Sequence, residues 1–495
     1  MRMPAPDQAI LDRRREIAAA LRRIVPGESV IDAEESLRAY DCDGLTAYRQ
    51  MPLVVVLPET VEQVSKILRW CSSAGVKVVP RGAGTSLSGG ALPLADGVLL
   101  GLGKFNAIRE IDPDNRVAVV QPGVTNTAIS EAASIHGLYY APDPSSQIAC
   151  TIGGNVAENA GGVHCLKYGM TAHNVLGVEM VLMSGEVIRI GGKGLHRPGY
   201  DLLGIVIGSE GLLGVVTEIT VRLLPVPDVA RAILVGFGDV AAAGQCVADV
   251  IARGIIPAGM ELMDKAAIQA TEGFLKIGYP LDAEALLIVE VDGPEAECDH
   301  LICEIAAIAT ACGATTLQPS TSEADRERFW AGRKAAFAAM GRISPDYYCV
   351  DGTIPRRCLP EMLRDMTVMG RRHGLRIANV FHAGDGNLHP IIMYDANQPG
   401  QFDAAEALGA EILTRCVELG GVLTGEHGVG VEKRDLMPAM FSALDLDQQQ
   451  LVKCVLDPDL LLNPGKMFPT LRRCAELGRE HVHHGEQRFP DLPRF

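Results

Sequence analysis

The run "PRGAGTSLSGG" (80–90) places four glycines and three hydroxyl residues in eleven positions. Successive backbone N–H groups in such a loop can point at one anion, and side chains this small let a phosphate approach closely. What precedes the loop sets the fold. "LVVVLP" (53–58) is a strand-like run. Thr60 with Gln63 matches a capping box, so a helix starts there, and "VKVVP" (76–80) reads as a second strand. A β-α-β beginning therefore delivers the chain into the glycine loop. Two more glycine-rich runs follow, "TIGGNVAENAGGVH" (151–164) and "GSEGLLG" (208–214). Turns are rich in glycine anyway, but three such loops in one α/β region are not readily explained as turns. No G-x-G-x-x-G lies between a strand and a helix and no GxxxxGK[ST] occurs, so neither a Rossmann nicotinamide site nor a P-loop is supported.

Working outward, apolar β-branched runs recur at 97–100 and 117–120, and "VEMVLMSGEVIRI" (178–190) reads as a hairpin turning at Ser184-Gly185. "LGVVTEITVRLLPVP" (213–227) reads as a proline-bounded strand that closes the first domain. Beyond it, alanine-rich helical segments alternate with strands such as "ALLIVEVDG" (285–293), and "RERFWAGRKAAF" (326–337) has helical spacing. The pattern is α+β. It divides into an N-terminal helical segment (1–48), a first domain (49–227), a second domain (228–470) with a helical end from about 405, and a tail (471–495).

A chain of 495 residues, 47% apolar and 21% charged, is globular with a sizeable core. The net charge of −16 argues against a nucleic-acid partner. The Arg-rich stretch 11–24 reads as a solvated helix face packed on the domain, with docking to an acidic partner or a membrane surface as the alternative. No apolar run reaches the roughly 18 residues that span a bilayer, and the N-terminus lacks an apolar signal core. The expectation is a cytoplasmic chain. Its 13 cysteines are scattered with no C-x-x-C pair, so the sequence offers no iron–sulfur cluster.

"VFHAGDGNLHP" (380–390) sets two histidines seven apart around a glycine-rich turn, and "GEHGVG" (425–430) sets an acid beside a third. H-x₆-H is no standard zinc spacing, and hydrogen-bonded loop histidines remain one reading. In the other, two imidazoles and a carboxylate form a three-ligand set that leaves a coordination position open for substrate.

Taken together, "PRGAGTSLSGGALP", "APDPSSQIACTIGGNVAENAGGVHCLKYG" and "GSEGLLGVVTE" resemble the two-part FAD-binding domain of the vanillyl-alcohol oxidase-like (PCMH-type) flavoproteins. "FHAGDGNLHP", "GEHGVG" and "LLNPGK" resemble the FAD-linked oxidase C-terminal domain of that family. The likeness covers roughly 30–470. More specific runs, "YDCDGLTAYR", "VHCLKYG", "FWAGRK" and "SPDYYC", are similar to the glycolate-oxidising members. The resemblance implies FAD-dependent oxidation of glycolate, and of D-lactate, with a stand-alone D-lactate or other D-2-hydroxy acid dehydrogenase as the alternative. It implies a pyrophosphate cradle of Arg81, Gly82, Ala83, Gly84, Thr85, Ser86, Ser88, Gly89 and Gly90. A segment along the flavin follows, with Pro142, Asp143, Ser145, Ser146, Ile152, Gly153, Gly154, Asn155, Ala157, Asn159, Gly161 and Gly162. Further contacts are implied from Pro122, Gly123 and Val124, from Glu210, Gly211, Gly214, Val215 and Ile219, and from Asn463. The FAD is expected to be non-covalent, because Gly84-Thr85-Ser86 lacks the histidine that tethers it in some relatives.

The same likeness implies that His382, His389 and Glu426 bind one divalent metal (Zn²⁺, Mn²⁺ or Fe²⁺), that His427 is the base, that Arg333 grips the substrate carboxylate and that Asn387 bonds to substrate. Where some relatives have a lysine near the substrate, this chain has Cys349, which suits a small monocarboxylate. A second FAD-binding subunit and an iron–sulfur subunit are the implied partners, with peripheral membrane association through the complex. The "HVHHG" run (481–485) is a candidate docking element or simply a chain end.

Overall fold

Val54, Val55 and Val56 have no exposed surface, and their burial on both sides explains why "LVVVLP" is apolar without alternation. In this computed structural model, which describes residues 3–194 and 198–469 together with the backbone of 482–483 and 486–487, they form β2 (Val54–Val56) of a four-stranded sheet. Its order is β1 (Val30–Ile31), β2, β4 (Gly97–Gly101), β3 (Lys77–Arg81), with β2, β4 and β3 parallel and β1 antiparallel at the edge. The segment before residue 49 thus supplies a strand as well as helices. The helix Val61–Ala74 joins β2 to β3. Thr60 Oγ1 accepts from Gln63 N–H at 3.3 Å, and Gln63 Oε1 accepts from Glu59 N–H at 2.7 Å, one residue earlier than a simple capping box. Val64, Ile67, Leu68 and Cys71, spaced along one face, are fully buried, each aliphatic side chain contributing about 1.5–3 kcal/mol. The "HVHHG" run lies outside the residues whose side chains are described.

A second, antiparallel sheet has the order β5 (Ile108–Asp112), β6 (Val117–Val120), β10 (Val215–Arg222), β8 (Val175–Val181), β9 (Val187–Gly191). The β8–β9 hairpin turns at Ser184-Gly185, where Gly185 takes φ 82° and its N–H donates to Leu182 O at 2.8 Å. The expected strand 213–227 is two strands. β10 stops at Arg222, and β11 (Leu224–Pro225) turns away to pair with β7 (Leu138–Tyr139). Pro225 cannot donate to a ladder, which confines it to such a marginal pairing.

The third sheet is antiparallel, in the order β15 (Ala314–Pro319), β12 (Val229–Phe237), β14 (Ala285–Gly293), β13 (Gly259–Asp264), β17 (Arg376–His382), β18 (Pro390–Tyr394), β16 (Asp346–Cys349). Helices Val240–Ala252, Glu295–Ala311, Leu359–His373 and Gln401–Glu418 share a core with one face. Lys265–Leu275 and Glu323–Met340 cover the other. Near its end the chain returns to the first sheet: Val78 N–H donates to Leu461 O at 2.8 Å and Asn463 N–H to Val78 O at 2.7 Å. Among the described residues no helix is long and apolar enough to cross a membrane.

Candidate active site

A cavity of about 410 Å³ lies where the glycine loops meet the third sheet's helices. It is lined by Arg81, Gly82, Ala83, Gly84, Thr85, Ser86 and Gly90 of the first loop, by Pro122, Ser145 and Ser146, by Gly153, Gly154, Asn155 and Ala157, and by Glu210, Gly211, Gly214 and Val215. Backbone N–H groups from Gly82 to Ser86 donate to no acceptor among the described residues, which leaves a row of donors suited to a pyrophosphate. A side chain at Gly153 would start 2.5 Å from Pro122 Cβ, so only glycine fits there. Thr151 Oγ1 and Glu158 Oε2, also on the wall, are buried without partners. These residues fit an FAD.

Not every expected residue reaches the lining. Ser88, Gly89, Gly123, Val124, Pro142, Asp143, Ile152, Asn159, Gly161, Gly162, Ile219 and Asn463 do not line it. Several have other work. Ile219 is a core residue of the second sheet. Asn159 ends the helix Ile152–Glu158 in a left-handed conformation and accepts from Ala172 N–H at 2.9 Å. Asn463 Nδ2 donates to Gly90 O at 3.1 Å and Glu210 O at 2.6 Å, tying two glycine loops together.

His389, Glu426 and His427 line the same cavity. His382 ends β17 and His389 directly precedes β18, so the turn between the strands carries both into one corner. His382 Nε2 lies 3.2 Å and His389 Nε2 2.9 Å from the same oxygen, Glu426 Oε1. Ligand atoms of the three residues all fall within 4.8 Å of one another, the only such group found among the described residues. His382 Nδ1 is committed to Glu261 Oε1 at 2.5 Å. That contact directs Nε2 at His389 and Glu426, the geometry that carboxylate–histidine–metal arrangements use. Burial works against charge on His382, but Glu261 and Glu426 outweigh it and hold the imidazole well above its usual pKa. Burial likewise opposes ionisation of Glu426, yet His382 and His389 keep it well below the carboxylate range. Two imidazoles converging on one carboxylate oxygen fit a divalent cation.

His427 stacks on His389, ring centroids 5.0 Å apart and 13° from parallel. Its Nε2 is 3.9 Å from Glu426 Oε1 and its Nδ1 3.9 Å from Asp351 Oδ2. Burial pulls this imidazole down to about 4, against the pull of Asp351, so it is neutral near pH 7. Asp351, fully buried, organises the loop: Oδ2 accepts from Gly425, Glu426 and His427 N–H at 3.1, 2.8 and 2.7 Å, and Lys433 Nζ sits 2.7 Å from Oδ1. Glu210 fixes the loop's other end, accepting from Val429 and Gly430 N–H at 2.6 and 2.7 Å.

Arg333 is not a surface charge. It is 3% exposed, its Nε bonds Glu261 Oε2 at 2.6 Å, and its Nη2 has no partner. The next residue, Lys334, reaches the cavity wall with Phe337. Asn387 is buried against Gly425 with its Oδ1 unpaired. Cys349 is buried in β16. Asp351 and Glu261 were not among the expected residues; an acid inside an otherwise apolar strand, as in "GMELMD", was the available signal for Glu261.

Two family models match the chain: "FAD binding domain" over 52–191 and "FAD linked oxidases, C-terminal domain" over 226–467. The "Glycolate oxidase subunit GlcD" of Escherichia coli K12 is 56% identical over 482 residues, covering 97% of both chains. Its namesake in Bacillus subtilis is 38% identical, covering 92% of this chain and 97% of that one. A "D-lactate dehydrogenase" of Archaeoglobus fulgidus is 35% identical, covering 84% and 92%. Among solved structures, 4-ethylphenol oxidase from Gulosibacter chungangensis superposes with a TM-score of 0.78 at 19% identity, over 94% of this chain and 99% of that one. p-Cresol methylhydroxylase gives 0.77 at 16% over 94% and 98%, and at such identities the likeness establishes the fold alone. By fold, by domain content and by identity along nearly its whole length, the chain belongs to the FAD-linked oxidases.

Proposed function

We propose that the protein is an FAD-dependent dehydrogenase that oxidises glycolate to glyoxylate, and D-lactate to pyruvate, at a site where His382, His389 and Glu426 hold a divalent cation. The observation that carries this reading is one cavity lined both by flavin-type glycine loops and by His389, Glu426 and His427. Bound there, FAD supplies a hydride acceptor and a Zn²⁺, Mn²⁺ or Fe²⁺ ion supplies a Lewis acid for the substrate hydroxyl. The residues of the chain do the rest. His427, neutral and beside the ligand set, takes the hydroxyl proton on Nε2. Asp351, facing Nδ1, steadies the imidazolium that results. Arg333 offers its unpaired Nη2 to the substrate carboxylate. Removal of one proton from oxygen and one hydride from C2 converts the hydroxy acid to the 2-oxo acid.

The FAD is non-covalent in this reading, since the first loop carries no histidine between Gly84 and Ser86. Relatives named as subunits support work within a complex. The partners are a second FAD-binding subunit and an iron–sulfur subunit, through which electrons leave and by which the chain associates peripherally with a membrane. Anaerobic stopped-flow mixing with a panel of 2-hydroxy acids tests the reading. Glycolate and D-lactate should bleach the flavin, and dicarboxylic hydroxy acids should do so poorly. Flavin that no 2-hydroxy acid reduces would refute it, and reduction by D-lactate alone would favour a stand-alone D-lactate dehydrogenase.

A further inference from the structure

Glu261 has no exposed surface and lies on β13, inside the seven-stranded sheet between β14 and β17. Its two oxygens hold different partners. Oε1 is 2.5 Å from His382 Nδ1, and Oε2 accepts from Arg333 Nε at 2.6 Å. The Glu261 backbone pairs directly with that of His382, so the first contact spans neighbouring strands. The second reaches the helix Glu323–Met340, which packs closely on that face because Gly332 leaves room for the Tyr279 ring, whose hydroxyl donates to Phe329 O at 2.5 Å. One buried carboxylate thus holds both His382 and Arg333.

We propose that Glu261 is a positioning residue that fixes the separation between the metal-binding histidine, His382, and the carboxylate-binding arginine, Arg333, and so selects 2-hydroxy over 3-hydroxy acids. This rests on the hydroxy-acid reading above. In a 2-hydroxy acid one carbon separates the hydroxyl from the carboxylate; a 3-hydroxy acid needs one more. His382 and Arg333 cannot move apart to take the longer acid while both stay bonded to the same buried side chain. A methylene misfit of this kind is worth about 10–200-fold in selectivity.

The test uses the FAD-bound protein. Glu261→Gln keeps the shape but removes the charge and replaces one acceptor with a donor. It should lower Mn²⁺ affinity, read by electron paramagnetic resonance, by about 10–100-fold. With Mn²⁺ saturating, it should also weaken oxalate binding, read from the flavin spectrum, by about tenfold or more. Glu261→Asp keeps the charge on a shorter stem and should narrow the preference in kcat/KM for glycolate over 3-hydroxypropionate by about tenfold. A loss of Mn²⁺ affinity with oxalate binding intact would overturn the link to Arg333, and unchanged affinities for both would overturn the proposal outright. If the Gln variant does not retain FAD, an unchanged 2-/3-hydroxy preference in the Asp variant overturns it. Wild-type protein that binds no Mn²⁺, or whose flavin no hydroxy acid reduces, would instead defeat the underlying reading.

Discussion

His427 and Glu426 are adjacent, yet the loop gives them different surroundings: Glu426 meets two imidazoles, while His427 stacks on one ring and faces Asp351. If His427 is the base, His427→Ala should retain FAD and metal but reduce flavin with glycolate about 10²–10⁴-fold more slowly. Stopped-flow absorbance checks this, and near-normal reduction would remove the assignment. His382, His389, Glu426 and His427 were legible because chemistry-bearing residues stood among glycines in two short runs. Glu261 and Asp351 were not. Each is one acid in an apolar stretch, and its importance comes from contacts far along the chain: Glu261 meets His382 across 121 residues and Asp351 meets His427 across 76. Arg333 stands in a helical run of mixed apolar and basic residues, and its burial beside Glu261 comes from packing that the run itself does not announce.

At the scale of elements, local signals were enough where one segment determines its own form. Thr60 starts its helix, Gly185 turns its hairpin, and "ALLIVEVDG" is the strand Ala285–Gly293 from end to end. Pairing between distant segments was not legible. Nothing in "VKVVP" announces that residues 461–463 will lie beside it, and nothing in "LLPVP" announces that β11 leaves the sheet for β7. The glycines of "GEHGVG" also become intelligible only in three dimensions. Gly425 packs against the Asn387 side chain, and Gly428, at φ 85°, against the carboxylate of Glu158. They are small because two other segments press on this one, which is how the glycine loops and His389, Glu426 and His427 come to line one cavity.

At the scale of the molecule, polar contacts join the FAD-binding part to the rest. His164 sits between Asp143, at 2.7 Å from Nδ1, and Glu290 of the third sheet, at 3.2 Å from Nε2. Burial lowers the pKa of His164, but the two carboxylates outweigh it and raise it well above the usual value. A raised folded-state pKa stabilises the fold fully below the free imidazole value of about 6.5, and that stability is lost as pH climbs through the raised value. Thermal unfolding of the FAD-bound protein should therefore fall in Tm as pH rises above about 6.5. His164→Gln should flatten that limb; parallel profiles would show that the bridge does not contribute. The joint matters because the cavity lies across it, with loops from one part facing histidines from the other. Whether these halves work as one metal-assisted flavin site is tested most directly by anaerobic flavin reduction with glycolate before chelation, after chelation and after Mn²⁺ or Zn²⁺ is restored. Reduction should slow by about 10²-fold or more without metal, as the Lewis acid's several kcal/mol are lost, and recover on its return. An unchanged rate in verified metal-free protein with its FAD in place would contradict a metal-assisted site.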